Sequence, residues 1–319
     1  CSVSGKHNYS FGDKFATREA YGFELVDLIA ENENVIAVDA EVSNSTHADE
    51  VKKICPERFI ETFISEQNLV GVVLGLSKKG CKVFGSTFSA FFTRAHDQIR
   101  MASLSDGNFT LCGSHAGVSI GEDGASQMGL EDIAMFRALP NSIVLYPADA
   151  VATEKIVGLA DKNKGLKYIR TTRGKTEVIY KKNEKFELGD FKVLRESKKD
   201  KVVLVGAGVT LYECLKAQKE LEKKRISCAV VDVFSVKPFD GERFTNFVKR
   251  HGKRVVVCED HRPEGGIGEM ISGVLNGTGF EIEHLAVREI PHSGKPEELL
   301  KKYCIDSVAI GKSVKKLVR

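Results

Sequence analysis

Three groups of residues have types and spacings that can do chemistry. Ser65-Glu66-Gln67-Asn68 sets a carboxylate between an apolar strand-like run and an apolar helix-like run. The helix dipole stabilises an acid there, so a purely structural role suffices on these residues alone. Phe84, Phe88, Phe91 and Phe92 form an aromatic cluster, for which core packing is the ordinary role. The stretch LCGSHAGVSIGEDGASQM carries His115, Glu122 and Asp123 among glycines. Glycines let backbone approach a ligand closely, and polar loops at the carboxyl ends of parallel strands are where such sheets bind. A surface loop with a solvated acidic pair is the alternative.

The elements that must position these groups alternate strand and helix. ATREAYGFELVDLIAEN has apolar residues at helical spacing and precedes the short apolar run NVIAVDA. FIETFI and CKVFGST flank SEQNLVGVVLGLSKKG, which reads as a helix opened by Ser65 and closed at Gly80. FTLCGSH, SIVLYPAD and KYIRTTR complete a first block. Residues 174–198 are charged and irregular, as a linker or hairpin between domains would be. KVVLVGAG, SCAVVDVFSV, RVVVCED and IEHLAV then alternate with helical patterns such as TLYECLKAQKELEKK. This alternation predicts an α/β protein with two doubly wound, mostly parallel sheets covered by helices on both faces.

Composition narrows the class. The 319 residues are 42% hydrophobic and 29% charged, enough for a sizeable core and for two domains. A formal charge of +3, with lysines and glutamates interleaved, points to neither a nucleic-acid nor a membrane partner. No apolar run reaches the roughly 18 residues of a membrane span. Eight scattered cysteines without a C-x-x-C pair are expected to be reduced thiols of a cytoplasmic protein. The chain starts with Cys1, as a processed piece or a fragment would. Gly206-Ala207-Gly208 imitates a dinucleotide turn, but Leu211 stands where its third glycine belongs; a tight strand-to-helix turn is the plainer reading. Gly311-Lys312-Ser313 imitates the end of a P-loop, with Asp306 in place of the first glycine.

Taken together, the motifs stop being generic. FATREAYG, NSTHAD, FISEQNLVGVVLGLS, STFSAFFTRAHDQIRMA, CGSHAGVSIGEDGASQMGLEDIAMFRALPN, YPADAVATEK and IRTTR, followed by VGAGVTLYECL, CEDHRPEGGIGE and IPHSGKPEELL, occur in the order seen in transketolases. From about residue 14 to its end the chain resembles the C-terminal half of an animal-type transketolase. The resemblance implies a pyrimidine-binding domain over 14–180 and a C-terminal domain over 190–319. It implies thiamine diphosphate as cofactor and reversible transfer of a two-carbon ketol unit between a ketose phosphate and an aldose phosphate.

The resemblance also implies residue roles. Glu66 matches the catalytic glutamate that hydrogen-bonds N1′ of the aminopyrimidine and favours its imino tautomer. Phe88 and Phe91 match the aromatic pocket around that ring. The tyrosine that some members carry three residues later is Arg94 here, which changes that wall. Arg18, Ser45 and Arg173 match the sugar-phosphate site, with Arg170 a nearby alternative to Arg173. His115 matches the histidine near the phosphate end, Asp123 the acid for the sugar's α-hydroxyl, and Gln127 a position near the carbonyl. Glu41 stands where an aspartate is usual, which puts any contact of that acid in question.

The GDG-to-Asn motif that binds Mg²⁺ or Ca²⁺ in the family is absent from this sequence, so no metal ligand is expected here. The resemblance therefore implies a partner: an N-terminal diphosphate-binding half, or a full-length subunit, in an enzyme that works as a homodimer. Two alternatives stay open on sequence. One is a related thiamine enzyme, such as deoxyxylulose-phosphate synthase or a 2-oxoacid dehydrogenase β subunit. The other is a non-catalytic half-subunit.

Overall fold

The computed structural model describes residues 7–277 and 279–319. Its strands are β1 (Lys14–Ala16), β2 (Val35–Asp39), β3 (Phe59–Glu61), β4 (Lys82–Phe88), β5 (Phe109–Ser114), β6 (Ile143–Leu145), β7 (Leu166–Arg170), β8 (Lys175–Glu177), β9 (Lys192–Arg195), β10 (Val202–Gly206), β11 (Cys228–Asp232), β12 (Ser235–Lys237), β13 (Arg254–Cys258) and β14 (Glu281–Leu285). A seven-stranded sheet runs β12-β6-β7-β5-β4-β2-β3 and a five-stranded sheet runs β14-β13-β10-β11-β9. Both are parallel except for one antiparallel edge strand each, β12 on β6 and β9 on β11. The expected α/β class with mostly parallel sheets is therefore what the chain forms.

Strands covered on both faces need apolar residues throughout, not alternation. Val202–Gly206 and Cys228–Asp232 are accordingly buried at every position. On one face of the first sheet, the helix Glu66–Lys78 buries Leu69, Val70 and Val73. That layer is continuous with Val203, Val205 and Phe244 of the second sheet's layer, so the two halves share one core. The helices Thr17–Glu31 and Ala150–Lys162 cover the opposite face of the first sheet with Leu25, Ile29, Ile156 and Val157. The helices Val209–Glu222 and Ser307–Leu317 cover the second sheet's other face with Leu211, Leu221, Ile310 and Val314.

Two expectations change. SCAVVDVFSV reads as one strand, yet the chain leaves the second sheet after Asp232 and Ser235–Lys237 pairs with β6 of the first. Cys81, Cys112, Cys214, Cys228, Cys258 and Cys304 are free, but Cys55 is disulfide-bonded; Cys1 lies outside the described residues. The expectation of reduced thiols throughout fails at Cys55, because bridging depends on the distance and orientation of two Cβ vectors, which sequence spacing does not encode. No helix among the described residues is long and apolar enough to cross a membrane.

Candidate functional site

The residues given cofactor or substrate roles lie at the carboxyl edge of the seven-stranded sheet, apart from Arg18. Ser45 follows β2, Glu66 follows β3, Phe88 and Phe91 end and follow β4, His115 through Gln127 follow β5, and Arg173 follows β7. Arg18 arrives from the first turn of the helix Thr17–Glu31. The two-stranded ribbon of β1 and β8 and the contact of Thr17 with Thr172 hold it near Arg173.

Glu66 is the first residue of its helix and only 3% exposed. Ser65 sits at the capping position but makes no side-chain cap bond. The Glu66 carboxylate instead accepts a hydrogen bond from Arg94 Nη1 at 3.2 Å. Phe91 and Arg94 lie three residues apart on a 3₁₀ turn, Phe91–Ala95, where side chains at that spacing eclipse. The turn thus brings an aromatic ring and a guanidinium to one side.

The phenylalanine cluster divides. Phe84 and Phe92 are core residues on opposite faces of the sheet. Phe88 stacks on Phe91 at 5.0 Å and on His115 at 3.9 Å, giving three nearly parallel rings beside one another. Stacked rings of this kind contribute about 0.5–1.5 kcal/mol per pair beyond their burial. His115 holds a positive φ of 56°, and its Nδ1 is 2.9 Å from Ser114 Oγ. Burial, then the charges of Arg18, Arg173 and His47, push its imidazole down to about 3, so the ring is neutral.

Next to this stack the charge is positive. Arg18 Nη1 donates to the Ser45 carbonyl at 2.7 Å, while its buried Nε has no partner among the described residues. Burial chiefly, with a smaller push from Arg173, lowers the Arg18 pKa against the opposing charges of Glu19 and Asp123. Arg173 Nη1 donates to Asp123 Oδ1 at 3.0 Å and to the Ile120 carbonyl at 3.1 Å. Two guanidiniums and an unpaired N–H suit an oxyanion with several acceptors. Asp123 is largely exposed, and Gln127 is half-buried, its Oε1 accepting from Ser126 Oγ.

Two arginines that look alike in sequence part here. Arg170 is fully buried, 2.8 Å from Asp132, and donates to the carbonyls of Gly129 and Asp260. Its Nε and Nη2 are occupied by the fold and its buried Nη1 has no partner among the described residues, whereas the Arg173 side chain is 39% exposed. Glu41 is exposed with a φ of 65°, at the rim after β2. His47 was not singled out from the sequence, although NSTHAD contains it; its charge acts on His115, while burial and the charge of Arg18 lower its own pKa. His47, Asp49 and Glu50 bring possible ligand atoms within 4.8 Å of one another, but Lys53 already bridges both carboxylates at 2.8 and 2.9 Å.

Residues 13–178 match the transketolase pyrimidine binding domain and residues 189–310 the transketolase C-terminal domain. The chain is 50% identical over 313 residues to the transketolases of Rattus norvegicus and Homo sapiens, which covers 98% of this chain and 50% of each relative. It is 49% identical to transketolase-like protein 1 of Bos taurus, over 98% of this chain and 52% of that protein. The chain thus spans about half the length of the curated relatives it matches. Among solved structures, a split-gene transketolase described as an inactive beta4 tetramer superposes with a TM-score of 0.87 at 37% identity, over 95% of this chain and 98% of that one. Transketolase from Campylobacter jejuni shares the fold, with a TM-score of 0.83 at 21% identity over 97% of this chain and 48% of that one. The chain belongs to the transketolase family.

Proposed function

We propose that this chain supplies the pyrimidine side of a thiamine diphosphate site for ketol transfer between sugar phosphates. The supporting observation is a three-ring stack at the same sheet edge as a buried carboxylate and a pair of guanidiniums. The ring faces and Glu66 fit a flat heteroaromatic ring with a basic nitrogen at its edge. When bound, thiamine diphosphate supplies the nucleophilic carbon and the electron sink of the reaction. Glu66 holds the proton shared with the pyrimidine ring, and Arg94 keeps a positive charge against its outer oxygen. Phe88 and Phe91 orient the ring and exclude water.

On the substrate side, Arg18, Ser45 and Arg173 grip the sugar phosphate, with His115 as a neutral hydrogen-bonding ring beside them. Asp123 and Gln127 meet the sugar's hydroxyl and carbonyl ends. The diphosphate and its Mg²⁺ or Ca²⁺ need ligands that an N-terminal half provides, since the carboxylates nearest to a metal-like arrangement are engaged by Lys53. The domains proposed for these tasks are 14–180 and 190–319, in a dimer of the completed enzyme in the cytoplasm. The split-gene relative, named as inactive in its beta4 form, supports the need for a second polypeptide.

The test is a coupled ketol-transfer assay of this chain mixed with a separately expressed N-terminal half. Transfer is expected in the mixture and not from the chain alone. In that assembly Arg173→Ala and Arg18→Ala should raise KM for phosphorylated acceptors about tenfold, from the loss of one charged hydrogen bond of about 1.5–3 kcal/mol. Glycolaldehyde should show little change. An equal penalty on both acceptors would remove these arginines from phosphate recognition.

A further inference from the structure

The loop that carries the substrate-side residues is built by the first sheet but held by the second domain. An isolated bridge between Ala116 and Gly129 closes its neck, and Gly117 N donates to the Gly129 carbonyl at 2.7 Å. Inside that neck, Val118 N donates to Asp260 Oδ1 at 2.7 Å and Ser119 N to Asp260 Oδ2 at 3.1 Å. Asp260 lies just after β13 and is 1% exposed. The carbonyls of Asp260 and of Gly129 both accept from Arg170 Nη2 at 2.9 Å. At the far side of the neck Arg262 N donates to the Leu130 carbonyl at 3.0 Å. Val118, Ile120, Met128 and Leu130 are packed into the second domain's core cluster, against Leu299, Leu300 and Tyr303.

A carboxylate buried between two halves of a protein costs several kcal/mol of desolvation unless it is well bonded. Here it receives two N–H groups at the start of the 3₁₀ turn Val118–Ile120, between His115 and Asp123. The fit is close: a Cβ on Gly117, whose φ is +82°, would fall 2.1 Å from Asp260 Oδ2. Arg173 is tied to the same turn through the Ile120 carbonyl. A shift of this turn therefore displaces Asp123 and Arg173 together.

We propose that Asp260 is a positioning residue, through which the second domain fixes the His115–Gln127 loop in register with the phosphate-binding arginines. Its catalytic consequence rests on the function proposed above; its structural consequence does not. A displacement near 1 Å in a substrate-positioning loop can cost on the order of 100-fold in rate.

Two variants approach the contact from opposite sides. Asp260→Asn puts an amide where two acceptor oxygens were, and Gly117→Ala forces the carboxylate away. Hydrogen exchange on the chain itself should show faster exchange over 116–130 in both, with β4, β5, β10 and β13 as protected as in the wild type. In the reconstituted assembly both should lower kcat/KM for sugar phosphates on the order of 100-fold while thiamine diphosphate affinity holds. Asp306→Ala removes a carboxylate that caps the helix Ser307–Leu317 through Ala309 N at 2.9 Å, away from the loop, and should leave KM unchanged. Unchanged exchange over 116–130 would overturn the proposal. So would loss of protection throughout both sheets in both variants, because the role would then be general folding. A wild-type assembly without ketol transfer would instead sink the proposed function, and the exchange data alone would decide the clamp.

Discussion

The carboxyl ends of the two sheets share an architecture and do opposite things. In open parallel sheets that edge is the usual binding crevice. At the first sheet it presents Glu66, the Phe88–Phe91–His115 stack, Arg173, and Arg18 with an unpaired Nε. At the second sheet the matching groups are spent inward. Glu259 accepts from Ile267 N at 2.6 Å, Gly268 N at 3.0 Å and the imidazole of His284 at 2.5 Å. Asp260 is spent on the first domain's loop. Gly208, at a φ of +52°, lies so close to the Tyr146 ring that a Cβ would fall 2.2 Å from it. The glycine pair that imitates a dinucleotide site thus makes room for an aromatic ring of the other domain. A crevice is functional when its polar groups are left facing outward, and structural when neighbours have already satisfied them.

Two buried glutamates give the strongest test of that contrast. Glu66→Gln should lower turnover of the reconstituted assembly by at least about 100-fold, since acid–base groups contribute factors of this order, with the fold intact by circular dichroism. Glu259→Gln should behave the other way. It replaces charged hydrogen bonds at a helix N-terminus worth about 1.5–3 kcal/mol each and lowers the urea midpoint, while KM stays put. Near-normal turnover in a folded Glu66→Gln protein would return Glu66 to a structural role at the helix start.

A smaller effect sharpens the electrostatic side of the comparison. His115 is pushed from 6.5 down to about 3, so between those values the unfolded chain binds a proton that the folded chain refuses. Stability contributed by this group is present above pH 6.5 and falls as pH drops toward 3, with a slope of at most about 1.4 kcal/mol per pH unit. Urea titrations at pH 7, 6, 5 and 4 should show that fall, and His115→Gln should flatten it. An equal slope in the variant would show that the imidazole is not held neutral by its setting.

Local pattern was readable wherever local physics decides. The helical spacing in ATREAYGFELVDLIAEN and the apolar run of Val202–Gly206 have few alternatives, and both form as expected. The grouping of Glu66, Phe88, Phe91, His115 and Arg173 was legible only through the family resemblance; in the fold they end or follow four parallel strands, β3, β4, β5 and β7, at the same edge. What sequence did not show depends on long-range placement. Asp260 meets Val118 across 142 positions, and nothing in EDHRP marks it as a partner of SHAGVS. Arg170 ends β7 and is 0% exposed, whereas Arg173 lies three residues beyond the strand and its side chain is 39% exposed, a difference that the short segment RTTR does not reveal. The return of Ser235–Lys237 to the first sheet is likewise set by a neighbour far along the chain.

On the function proposed above, the first sheet's edge is half of a cofactor site. Calorimetric titration of thiamine diphosphate, with and without Mg²⁺, into the chain, into an N-terminal half and into their mixture tests it most directly. Negligible binding by this chain alone is expected, with metal-dependent binding in the mixture that Phe88→Ala weakens. Micromolar affinity in the purified chain alone would contradict it, as would a mixture with every N-terminal half tried that binds no better than its parts.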